Sequence, residues 1–166
     1  MPEKETLRRA RKDKREGKSA STQAGEFVRE EIHHVREGKH GARSTEQAIA
    51  IGLAKARRAG VKLQAKKGKT SAETRRKAAK DLAAGKRGAR KAPSRTRSRA
   101  TKSALEQEGP SAASHTALSR QARRAASKRS ATERSAAAKK ASRTKGAAKR
   151  SAAAKKAART RARRGR

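Results

Sequence analysis

STEQAIAIGLAKARRAG, residues 44–60, carries every mark of one complete helix. Ser44 followed three residues later by Gln47 is a capping box, which satisfies orphan backbone N–H groups at a helix start. Ile49, Gly52, Leu53 and Ala56 recur at helical spacing and define one face. Gly52 and the alanines would let a second helix come close. Arg57 and Arg58 fall in the last turn, where the helix dipole favours cations. Gly60 sits where a left-handed residue ends a helix, and Val61 follows where a Schellman motif makes its apolar contact.

Upstream, TQAGEFVREEIHHVR, residues 22–36, has Ala24, Val28, Ile32 and Val35 on one stripe, with Phe27 at its edge. Gly38 and Gly41 interrupt the run, leaving a connector short enough to join antiparallel helices. The spacing predicts a helical hairpin within residues 22–63: residues 25–37 pack on 45–59, and Val61 and Leu63 fold back over the open side. A unit of ~40 residues rarely stands alone without a metal, a disulfide or a partner. Homodimerisation through the exposed part of the Ile49/Leu53 face is the expected remedy.

Outside the hairpin the patterning weakens. Residues 1–21 offer Leu7 as their one large aliphatic side chain and i,i+4 pairs such as Glu5 with Arg9 and Lys12 with Glu16, so a fraying, solvated helix is expected. Residues 64–85 predict a basic helix, with Thr70 and Glu73 as a capping box, Gly85 as its stop, and a thin face of Ala78, Ala79, Leu82 and Ala83. Residues 86–110 read as a disordered linker rich in serine and arginine, broken by Gly109–Pro110. Residues 111–166 form a low-complexity tail of alanine, lysine and arginine. In it RSAAAKKASRTK begins at Arg134 and RSAAAKKAARTR at Arg150. Neither copy has a large residue to stack, so this is a compositional repeat and not a solenoid unit.

Composition sharpens the contrast. The chain has 166 residues, a formal net charge of +36 and a single aromatic residue, Phe27, so its apolar fraction is mostly alanine. Alanine buries little area against the entropy of ordering the chain. The fold class expected is a mostly disordered chain with all-α elements: a small hairpin and a long basic arm, disordered alone and partly helical on nucleic acid. The absence of cysteine rules out disulfides and thiolate chemistry. No apolar run approaches the length of a bilayer span, and the first residues lack the apolar stretch of a secretory signal, which predicts a cytosolic protein.

Residues 33–63 resemble a small bacterial domain family of uncharacterised function. Its signature, of the type K-x-G…S-x-x-Q-A-I-A-I-G-L-x-x-A-R-x-A-G, is met here by Lys39, Gly41, Ser44, Gln47, Ala48, Ile49, Ala50, Ile51, Gly52, Leu53, Ala56, Arg57, Ala59 and Gly60. The family brings no established activity. The second half is similar in composition to the tails of linker histones and of bacterial histone-like proteins. It departs from linker histones in lacking both a winged-helix domain and any proline after Pro110.

Charge decides the functional expectation. Through Leu63 there are 16 basic and 9 acidic residues, a net of +7; from Gln64 onward 34 basic and 5 acidic residues give +29. Cations that meet phosphates release counterions, so nucleic acid is the expected partner. The residues expected to carry the contacts are Lys55, Arg57, Arg58 and Lys62 in the module, and Arg120, Arg123, Arg124, Lys128, Arg129, Lys139, Lys140, Arg143, Lys149, Arg150, Lys155, Lys156, Arg159, Arg161, Arg163 and Arg164 in the tail. No positioned base reader is visible, and there is no aromatic platform on which single strands would stack. The expected function is that of a histone-like, nucleoid-associated protein that binds duplex DNA without reading sequence and compacts or bridges it. An RNA- or ribosome-associated basic protein is the alternative.

Other readings carry less. The hairpin as a helix-turn-helix reader meets a connector longer than the usual 3–4 residues. His33, His34 and His40, with Glu30 or Glu37, raise a metal centre, but His33 and His34 point to different helix faces, and the expectation is no metal and no cofactor. Ser94, Ser98, Ser130 and Ser142 lie beside arginines as candidate phosphate acceptors of a common kind. No nucleophile–base pair, paired carboxylates or phosphate-binding loop appears, so no catalysis is expected, and the tail lacks the apolar face that membrane insertion needs.

Overall fold

The computed structural model describes residues 2–65, 68, 70–87 and 94–164, the side chains of Thr144, Lys145, Ala147, Lys149 and Arg164 excepted. The described residues are helical and include no strand. Contacts divide the chain into two units, Met1–Gln121 and Ala122–Arg166, the boundary falling inside a helix.

The first unit is built on the predicted hairpin. Helix α2 (Ala20–Arg36) packs against α3 (Thr45–Arg58). Ser44 Oγ accepts from the Gln47 backbone N–H at 3.1 Å, while Gln47 Oε1 accepts from the Arg43 N–H at 3.0 Å, one residue beyond the N-cap N–H that the usual box engages. At the other end Gly60 has φ 92°, with Val61 N–H bonded to the Ala56 carbonyl at 3.0 Å and Gly60 N–H to that of Arg57 at 3.0 Å. This is the predicted Schellman stop. Gly52 marks the helix crossing, because a Cβ there would lie 2.7 Å from Val28 Cα. The interior of the unit is two small clusters. Phe27 packs with Ala10, Ala24, Ala56 and Val61, flanked by Leu7, Leu53 and Leu63, so Val61 and Leu63 do fold back. Ile32 and Val35 pack with Ala42, Ala48, Ala112 and Ala113, flanked by Val28 and Leu118.

The N-terminal segment departs from the expected fraying helix. Helix α1 (Lys4–Arg15) is docked on α2, with Ala10 and Thr6 buried. Two charged contacts that sequence spacing does not reveal hold it. Arg9 meets Glu26 at 2.8 Å, and the buried Glu30 carboxylate accepts from the Glu3 N–H at 3.3 Å, at the positive end of the α1 dipole.

Helix α4 (Ala72–Lys86) packs on α3 and is capped by Ser71 rather than Thr70: Ser71 Oγ accepts from Thr74 N–H at 3.2 Å. Gly85 is not its stop. It lies inside the helix, where a Cβ would come within 2.4 Å of the Arg57 carbonyl oxygen, so the glycine serves close approach.

The expectation of a mostly disordered chain is corrected. Residues 95–106, placed in the linker, form α5 (Arg95–Glu106), and the 3-10 turn Pro110–Ala113 packs on the connector end of the hairpin. Residues 88–93 of that linker lie outside the described residues. Gly41 N–H donates to Leu105 O at 2.8 Å, Thr45 Oγ1 to Ala112 O at 2.6 Å, and Arg36 Nε to Ala113 O at 2.7 Å. Gly41 permits this seat, since a Cβ at that position would fall 1.6 Å from the Glu108 carbonyl oxygen. Gly41→Ala is therefore expected to expel residues 105–113 while leaving the α2–α3 crossing in place. Amide hydrogen exchange should then show lost protection at Gly41, Ala42 and Ser114 and retained protection across α3.

The low-complexity tail is helical as well. Helix α6 (His115–Ser127) is followed by α7 (Ala131–Arg164), two helical stretches meeting at Gly146, whose φ of 62° and ψ of 164° are not helical. One copy of the repeat lies on each side of that joint. No residue of α5, α6 or α7 is buried among those described, so burial does not explain these helices. Backbone propensity does: alanine, arginine and lysine rank at the top of the helix scale. Reciprocal bonds between Ser130 and Glu133 at 3.2 and 3.3 Å start α7.

Candidate nucleic-acid interface

Most acidic residues of the first unit are engaged internally. Glu5 pairs with Arg9 at 2.9 Å, Asp13 and Glu16 with Lys18 at 2.7 and 2.8 Å, and Glu37 with both His33 and Lys39 at 3.0 Å. The bond from Lys39 holds the Glu37 carboxyl below the ordinary carboxylate range, and Glu37 in turn raises the Lys39 ammonium.

These pairings redefine three of the four module cations expected at the interface. Lys55 Nζ is committed to the buried Glu31 Oε2. Arg57 Nε donates to the Leu63 carbonyl at 2.9 Å and ties the returning chain to α3. Arg58 Nε is 2.8 Å from Asp81 Oδ1 and ties α3 to α4. Lys62 is exposed with no ion pair among the described residues.

Conversely, Arg95, Arg97 and Arg99 of α5 are exposed, and sequence reasoning missed them because it treated SRTRSR as linker. In the first unit's share of α6, Arg120 is exposed too.

The second unit considered by itself has 18 basic residues against one acidic, a net of +17. Arg123, Arg124, Lys128 and Arg129 are exposed, as are Lys139, Lys140, Arg143, Arg150, Lys155, Lys156, Arg159, Arg161 and Arg163. The side chains of Lys149 and Arg164 lie outside the described set. Successive helical residues are turned by ~100°, so Lys139 with Lys140 and Lys155 with Lys156 project on different sides of α7. The helix thus has cations round its circumference and no apolar stripe. Arg150 reaches across the Gly146 joint to the Ser142 carbonyl at 2.7 Å.

The predicted histidine set divides differently from its sequence grouping. His33 pairs with Glu37, whereas His34 and His40 converge on Glu31, with their rings edge to face at 6.2 Å between centroids. Sequence reasoning missed Glu31. Its signal was the i,i+3 spacing to His34, which puts both on one side of α2.

No family model, curated protein or solved structure matches this chain.

Proposed function

We propose that the protein is a non-sequence-specific, histone-like DNA-binding protein that compacts or bridges duplex DNA through phosphate contacts. The observation that carries this reading is α7: exposed cations on several faces, a net of +17 over residues 122–166, and no buried side chain among those described. Such a helix presents no apolar face among its described residues, and its natural complement is a polyanion. Cations on opposed faces of one helix can meet two phosphate backbones at once, which favours bridging over simple coating. Enzymatic chemistry is no part of this proposal. Tail helicity is also coupled to the partner: like charges at i,i+4 oppose the helix, and phosphates remove that penalty.

The module of residues 22–63 serves, in this reading, as the ordered anchor that fixes where the tail begins, and its half-buried Ile49 and Leu53 are where a second copy would dock. The cytoplasmic nucleoid is the setting that follows from the partner.

The test is a salt titration of the intact chain on duplex DNA of unrelated sequences, with ribosomal RNA as competitor. About ten phosphate contacts give a log–log slope near −9, equal for every duplex sequence. A slope near zero, or one duplex preferred by orders of magnitude, overturns the reading. Stronger competition by RNA than by duplex DNA assigns the chain to RNA instead.

A further inference from the structure

The geometry points to a divalent transition-metal site, of the kind that takes Zn²⁺, formed by Glu31, His34 and His40 at the junction of α1, α2 and the α2–α3 connector. The ligand atoms of these three residues all lie within 4.8 Å of one another. Glu31 is only 1% exposed, whereas His34 and His40 are partly so, which leaves an entry path from solvent.

The Glu31 carboxylate is the independent sign that something is missing there. Its Oε2 is taken by Lys55 Nζ, but its Oε1 is buried and accepts no hydrogen bond. A buried carboxylate oxygen without a donor is costly. His40 Nε2 lies 3.2 Å from it. His40 Nδ1 lies 3.1 Å from the Gly41 carbonyl oxygen, which can only accept, so Nδ1 carries the proton. In neutral His40 the Nε2 lone pair therefore faces the lone pairs of Glu31 Oε1. Two lone pairs at that distance want a cation they can share. A tetrahedral zinc ion with bonds of 2.0–2.1 Å holds its ligand atoms about 3.3 Å apart, close to the separation of Glu31 Oε1 and His40 Nε2, with His34 within 4.8 Å of both.

The surroundings match what metal-binding histidines have. The Gly41 carbonyl fixes the His40 tautomer, and Glu3 Oε1 sits 2.8 Å from His34 Nε2, so each ring is oriented by an acceptor. Two imidazoles with one carboxylate, and no thiolate, suit zinc, nickel or copper and disfavour magnesium or calcium. Lys55 on the far carboxylate oxygen adds positive charge beside the bound cation, which favours moderate affinity over a permanently filled site. Binding would clamp α2 to the connector, a cross-link that a small unit without disulfides lacks.

The experiment is calorimetric titration of the chelator-stripped full-length chain with ZnCl₂. One zinc per chain is expected, with a Kd in or below the micromolar range. His34→Gln and His40→Gln should each weaken binding by roughly tenfold or more, and His33→Gln and His115→Gln should change it less than about twofold. Far-UV circular dichroism shows whether each variant keeps its helix content. Independently of any variant, Co²⁺ added to the intact chain should shift the ring protons of His34 and His40 in NMR spectra and leave those of His33 and His115 near their metal-free positions. No saturable uptake would mean that His40 and Glu31 merely face each other at 3.2 Å, and the site does not exist. Equal effects at all four histidines would likewise reduce it to adventitious surface binding and overturn it.

Discussion

A chain ending at Gln121 is expected to lose most of the salt dependence of DNA binding together with most of its affinity. The removed stretch carries 18 cations and one acid, while the retained one has 32 cations and 13 acids. The difference lies less in the count than in how the charges are engaged. In the first unit Arg9, Lys18, Lys39, Lys55 and Arg58 already hold carboxylates, and Arg57 holds a backbone carbonyl. Each would have to give up a native partner to meet a phosphate. If half the tail cations engage, they contribute about nine contacts and a slope near −8, so the intact chain weakens by about 10³–10⁵ between 50 and 200 mM salt. The shortened chain should weaken by less than about 10² over the same interval. Fluorescence anisotropy on a labelled duplex reads both slopes. Equal slopes for the two chains would place the interface in the first unit and dismiss the tail.

What the sequence disclosed, and what it hid, follows the range of the interactions. Ser44, Gln47, Gly60 and Val61 announced α3 because caps act within a few residues; Ser44, Gly60 and Val61 make the bonds their positions imply, and Gln47 caps the neighbouring Arg43 N–H instead. Gly52 announced a close crossing because nothing else favours glycine in mid-helix. Anchoring of α1 stayed hidden because Arg9–Glu26 and Glu3–His34 join residues 17 and 31 positions apart, and a run of mixed charges looks the same whether solvated or docked. The seat of residues 105–113 was hidden for a further reason: backbone atoms supply much of it, and backbone hydrogen bonds leave no side-chain pattern. The extent of helix is hard to read because low hydrophobicity and high net charge point to disorder while backbone propensity points to helix. Alanine-rich cationic stretches bury nothing yet still favour the helix locally. At the candidate interface the sequence displayed total charge but not its internal use. Lys55 and Lys62 look alike in a string of letters, and only Glu31, 24 residues from Lys55, tells the paired lysine from the exposed one.

Phe27→Ala is expected to unfold most of the first unit. Phe27 is among the four largest fully buried side chains, and the others are Glu31, Val35 and Thr6. Its neighbours are three alanines, Val61 and the flanks of leucines, which cannot collapse into a vacated ring without moving α1 and the returning chain. Removing a buried phenylalanine costs about 3–5 kcal/mol when the cavity does not close, against a total of roughly 5–15 kcal/mol for an ordinary domain. A unit whose interior is mostly alanine belongs at the low end of that scale. Phe27→Leu keeps most of the volume and should cost much less, on the order of 1–2 kcal/mol. Thermal unfolding followed by circular dichroism has to separate two populations of helix for this comparison. Signal from α2 and α3 should vanish with a lowered midpoint in Phe27→Ala, while the signal from α7, which has no buried residue among those described, persists as a broad, non-cooperative slope. The binding consequence follows from the same separation: Phe27→Ala should retain a steep salt slope on duplex DNA although its cooperative melt is lost. A variant that kept a midpoint within a few degrees of the unsubstituted chain would show that the Phe27 cluster is not what holds α1, α2 and α3 together.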